Sequence, residues 1–84
     1  MPEIARFYGI VVKMFFRGKE HDPPHIHALY GEHVGILDLE SGEMIEGDLP
    51  ARAYRLAREW LEAHKSELRD MWRSQQIRKL PPLE

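Results

Sequence analysis

The sequence predicts an α+β fold: an antiparallel sheet of three to four strands packed against one long C-terminal helix. Three observations carry this expectation. The first half holds short runs rich in aromatic and β-branched residues, bounded by turn-forming residues. The connections between the later runs are two to four residues, too short for the crossover that parallel strands need. The second half keeps a single apolar helical phase, with no glycine or proline between Pro50 and Pro81.

Taken in order, residues 6–16 read as one long strand. Tyr8, Ile10, Val12, Met14 and Phe16 alternate with Phe7, Gly9, Val11, Lys13 and Phe15, so both faces carry apolar side chains and the strand is expected to be central or covered on both faces. Gly9 marks a bulge or a close backbone approach. Residues 17–20 form a polar turn, residues 25–30 a second strand, Gly31-Glu32 a tight turn and residues 33–39 a third strand. After the turn at residues 40–43, Met44-Ile45-Glu46 reads as a short fourth strand. Asp48 is a candidate N-cap, and Pro50 is tolerated in the first turn of a helix running to about Gln76. Ala53, Ala57, Trp60, Leu61, His64, Leu68, Met71 and Trp72 form its inner stripe. Such a helix would be roughly 40 Å long, long enough to overhang the sheet or meet a second subunit. The tail over residues 77–84 is extended, with its leucines folding back onto apolar surface. The whole chain, residues 1–84, reads as a single domain.

Composition narrows the function classes. The chain has 84 residues, 43% hydrophobic and 31% charged, which is ordinary for a globular domain with a thin core. It has no cysteine, so disulfides and thiolate metal sites are excluded, and a reducing cytoplasmic location is expected. No signal peptide is read at the start, and no apolar run is long enough to span a bilayer. The net charge of −2 hides a segregation: residues 20–48 hold eight acidic side chains and no Lys or Arg, whereas residues 49–84 hold eight basic against five acidic. That bipolar surface suits a charged partner or contact with a second copy.

The stretch His21-Asp22-Pro23-Pro24-His25-Ile26-His27 is the candidate site. Histidine is the commonest metal ligand and changes charge near neutral pH. The two prolines stiffen the arm that enters the second strand. Residues two apart on a strand share a face, so His25 and His27 can converge on one ion. His64 lies within the apolar stripe of the helix and supplies the third nitrogen. His25, His27 and His64 would then make a three-nitrogen site for zinc or another divalent metal, with an open position. No specific metal motif such as HExxH supports that site, and the favoured reading is that His25 and His27 bond carboxylates or backbone carbonyls across strands while His64 is a satisfied core histidine. On the outer face of the helix, Arg55, Arg58, Lys65, Arg69 and Arg73 form a basic stripe of the kind that tracks phosphates. The chain is not basic overall and carries no helix-turn-helix, RNP or zinc-finger pattern, so a solvated face is favoured over nucleic acid. No Gly-rich phosphate loop, G-x-S-x-G elbow or cysteine nucleophile is present.

Several segments together carry a resemblance: Met1-Pro2-Glu3-Ile4, Arg6-Phe7-Tyr8-Gly9-Ile10, His21-x-Pro23-Pro24-His25-Ile26-His27-Ala28, Tyr30-Gly31-Glu32, Gly47-x-Leu49-Pro50 and Glu59-Trp60-x₃-His64-x₃-Leu68-x₃-Trp72. The chain resembles small, mostly bacterial proteins catalogued as domain of unknown function family 4160. The resemblance implies no established activity and no catalytic residues. It does imply a second small protein encoded nearby, in an arrangement similar to toxin–antitoxin pairs. Two functional expectations follow. The leading one is a small cytoplasmic binding or regulatory protein, one half of such a pair, whose site lies at His21, Asp22, His25, His27 and His64. The alternative is a metal-dependent hydrolase or nuclease that uses the histidine cluster.

Overall fold

The computed structural model describes residues 3–14 and 23–83. Five strands, β1 (Glu3–Phe7), β2 (Ile10–Lys13), β3 (His25–Tyr30), β4 (His33–Asp38) and β5 (Met44–Gly47), form one sheet in the order β1-β2-β3-β4-β5. Every neighbouring pair is antiparallel. Two helices follow, α1 (Ala51–Ala63) and α2 (Lys65–Ser74). The α+β class and the meander are as the sequence predicts. The element count is not.

The long first strand is two strands. Tyr8 and Gly9 adopt φ of 49° and 79° and close a two-residue hairpin that pairs Phe7 with Ile10. Positive φ at both central residues matches the right-handed twist of the flanking strands, which is why such hairpins are favoured. A side chain at Gly9 would also press on the Tyr30 ring, at 3.3 Å. The far end of that predicted strand, at Phe15 and Phe16, lies outside the described residues.

The single long helix is also two. His64 leaves helical geometry at φ −119°, and its N–H is shared between the carbonyls of Trp60 and Leu61 at 3.1 and 3.2 Å. A straight helix over residues 51–74 would be roughly 36 Å long. The longest dimension of the fold is 30 Å. The bend lets both halves stay on the core, because the apolar phase is kept across it. Asp48 is not the cap: Pro50 holds that position without a side-chain bond, and the Asp48 carboxylate lies 3.4 Å from His33 Nδ1.

Strand alternation sends Ile10 and Val12 of β2, Ile26 and Ala28 of β3, and Leu37 of β4 to one face, where they are buried. Trp60, Leu61, Leu68 and Met71 of the helices complete the same core, and Trp60 stacks on Phe7 with centroids 5.7 Å apart. Each of the buried Val, Ile, Leu and Met side chains contributes about 1.5–3 kcal/mol by leaving water.

The two edges of the sheet differ. Along β1 the tail returns: the Leu80 N–H donates to the Ile4 carbonyl at 3.0 Å, and the Trp60 indole N–H donates to the Pro81 carbonyl at 2.8 Å. Leu80 itself is buried. At β5, among the described residues, β4 is the one strand that pairs with it. A register shift there, between Ile36 opposite Glu46 and Leu37 opposite Met44, leaves Ile45 as an extra residue, 49% exposed. Gly47 then crosses β4 so closely that a side chain would sit 2.1 Å from the Val34 carbonyl oxygen.

Candidate functional site

His25 and His27 do share a face and stand close, with ring centroids 5.3 Å apart. They lie opposite Ile26 and Ala28, so they face away from the core. His25 is buried all the same, because the Trp72 indole from the end of α2 lies 5.1 Å from its ring. His25 Nδ1 is 2.7 Å from the Pro23 carbonyl. A carbonyl can only accept, so Nδ1 carries the hydrogen and the bond ties the proline arm to the start of β3.

His64 is elsewhere. Its ring packs on Trp60 at 5.0 Å, and Nδ1 donates to the Glu67 carboxylate at 2.9 Å. Eight residues separate it from Trp72, about 12 Å along the helix from the residue that meets His25. Among the described residues, no three of His, Cys, Asp or Glu are grouped so as to hold a metal ion. The expected His25–His27–His64 set is therefore not assembled, because strand alternation and the helix stripe point the histidines in different directions. His21 and Asp22 lie outside the described residues.

Most of the basic stripe has protein partners. Arg69 forks onto Glu40, with bonds of 2.8 and 2.5 Å, and Lys65 donates to the Glu40 carbonyl at 2.5 Å. Arg58 donates to the Ser41 carbonyl at 3.3 Å, and Arg73 pairs with Asp70. The guanidinium of Arg69 holds the Glu40 carboxyl below its ordinary range, first through the hydrogen bond and then through charge, with Lys65 adding to it. Asp38 caps the same turn by accepting from the N–H groups of Glu40 and Ser41 at 2.7 and 3.1 Å. Tyr54 completes the stitching: its hydroxyl accepts from the Met44 N–H and donates to the Gly42 carbonyl, each at 3.3 Å. An open cleft of about 420 Å³ beside it is lined by Tyr54, Arg55, Arg58, Glu59 and Glu62, with two guanidinium groups balanced by two carboxylates.

What these contacts hold in place is β5. The strand starts from a turn fixed to both helices and runs along an edge that no other strand covers among the described residues. Its exposed residues, Ile45, Glu46 and Gly47, stand between Glu43 and Asp48, which are also exposed. This surface is absent from the site residues read in the sequence. The signal was present: the last strand of a meander is an edge by topology, and this one reads Glu43-Met44-Ile45-Glu46-Gly47-Asp48. Among the described residues, no helix is long and apolar enough to cross a membrane.

No curated protein and no solved structure matches the chain significantly. Residues 9–73, about three quarters of the chain, match the model of a family described as a domain of unknown function (DUF4160), and the chain belongs to that family.

Proposed function

We propose that this chain is a small cytoplasmic binding protein of regulatory type, one half of a toxin–antitoxin-like pair, which receives an extended basic segment of its partner along β5. The observation that carries this reading is the contrast between the edges: β1 is closed by the tail, whereas β5 leaves Ile45 exposed between carboxylates. An added strand takes affinity from main-chain hydrogen bonds and specificity from alternate side chains. Here that specificity would be one apolar contact at Ile45 flanked by Lys or Arg facing Glu43, Glu46 and Asp48. Two copies of β5 would oppose their own carboxylates, so self-pairing at this edge is disfavoured.

The hydrolase alternative requires three imidazoles around one ion, and His64 stands with Glu67 and Trp60 instead. No observation favours it. The test is calorimetric titration of the chain with the small protein encoded beside it. Binding should weaken at least about tenfold with Ile45→Lys or Glu46→Lys, and should fall with added salt. Failure to form a complex, or a complex indifferent to both substitutions, would overturn the proposal.

A further inference from the structure

The outward face of the sheet carries a second pattern, which shares Glu46 with the edge. Two cross-strand rows can be read from the register. One runs Val11, Leu29, Val34 across β2, β3 and β4. The other runs Lys13, His27, Ile36, Glu46 across β2, β3, β4 and β5. The core helices pack on the opposite face, and the Trp72 end of α2 reaches round to His25 in the row beyond, where His25 stands opposite Asp38. Val34 is 42% exposed, and Val11, Leu29 and Ile36 are half-buried. The face is thus apolar in the middle, with a cation at one side and a carboxylate at the other. Glu3, which stands opposite Lys13, is held by Arg6 at 2.8 Å.

We infer that this face binds a second copy of the chain about a two-fold axis running parallel to the strands between β3 and β4. Such an axis reverses the strand order of one sheet over the other. Leu29 then meets Val34 of the second copy, and Val34 meets its Leu29. In the other row, Lys13 lies over Glu46 and Ile36 over His27, each contact made twice. A two-fold axis across the strands would instead stack Glu46 on Glu46 and Lys13 on Lys13. The charge pattern therefore selects one axis as well as one occupant. Sheets packed in this way stand about 10 Å apart, within reach of a Lys and a Glu side chain. About this axis β2 to β5 overlap, four strands of four to six residues each, so the flat footprint is roughly 300 Å² per copy, below the range of stable interfaces, and the dimer should be weak and concentration-dependent.

The experiment is sedimentation velocity of the full chain at low salt, from about 10 μM to about 1 mM, with no partner protein present. It succeeds or fails without reference to β5 as a partner edge. The unmodified chain should pass from monomer to dimer over this range. Val34→Glu should remain monomeric with an unchanged far-UV spectrum. Within one chain Lys13 and Glu46 are three strand spacings apart, roughly 14 Å, so direct coupling between them is intermolecular. Lys13→Glu and Glu46→Lys should each weaken dimerisation about tenfold, and the double exchange should restore it to within about threefold. A chain that stays monomeric throughout overturns the inference. So does a dimer indifferent to Val34→Glu, or one in which the double exchange is no better than the singles.

Discussion

The two edges of this sheet are built from similar lengths of strand and end up with opposite roles. In β1, Ile4, Ala5 and Phe7 are buried, and the strand's outer side receives a backbone bond from Leu80. In β5, Ile45, Glu46 and Gly47 are exposed, and the strand is bulged and acidic. The difference shows where the chain places its stability. One edge is closed by the chain's own tail and joins the core. The other is secured by its pairing with β4 and by a turn tied to α1 and α2, and among the described residues no strand pairs with its outer side. Bulges and charge are the devices by which proteins keep an open edge from pairing indiscriminately. They also leave it selective.

The largest effect should come from opening the closed edge. Leu80→Ala removes a buried side chain from the tail, and urea unfolding should show a loss of about 2–3 kcal/mol. Next is the crossing at the open edge. Gly47→Ala places a methyl group against the Val34 carbonyl at a positive φ of 87°, and should cost about 2 kcal/mol in the same measurement. Ile45→Lys should change stability by no more than about 0.5 kcal/mol, because the side chain is already in water, while it weakens partner binding. Equal destabilisation by Leu80→Ala and Ile45→Lys would break the contrast.

The smallest effect is the acid response of the turn beneath β5. The Glu40 carboxyl is held below its ordinary value of 4.5 by Arg69, so folding gains from the ionised form. That gain is present in full above the ordinary value and is lost as pH falls through the lowered folded value. The unfolding midpoints of the unmodified chain and Glu40→Gln should therefore differ at neutral pH and converge in acid. A difference that persists at low pH would mean that Glu40 acts through packing instead.

Much of this fold is legible in the residues. The spans of β3, β4 and β5 follow from short apolar runs bounded by Pro23-Pro24 and by the turns at Gly31 and Gly42, and the apolar stripe of the helices follows from its spacing. Two features were hidden for definite reasons. The Tyr8–Gly9 hairpin breaks the first strand at a tyrosine with φ of 49°, a conformation that bulky side chains rarely adopt, and the apolar pattern continues on both sides. The bend at His64 carries no glycine or proline and preserves the phase of the stripe, so periodicity cannot reveal it. The histidine site was legible in part. Spacing correctly pairs His25 with His27, but the alternation with Ile26 and Ala28 already turns that pair away from the core. Trp72 comes to His25 and His64 does not, and this depends on where α2 ends, which only the folded chain shows.

The central claim is that β5 is the edge left for a partner, and hydrogen exchange tests it most directly. Amide exchange should be followed by mass spectrometry for the full chain alone and with the proposed partner, the small neighbouring protein that the family resemblance implies. The amides of Met44–Gly47 should slow by about tenfold or more in the complex, while those of Glu3–Phe7, on the edge where the Leu80 N–H donates to Ile4, should not change. Protection that appears along β1, or only on the helices, with β5 exchanging as in the free chain, would contradict it.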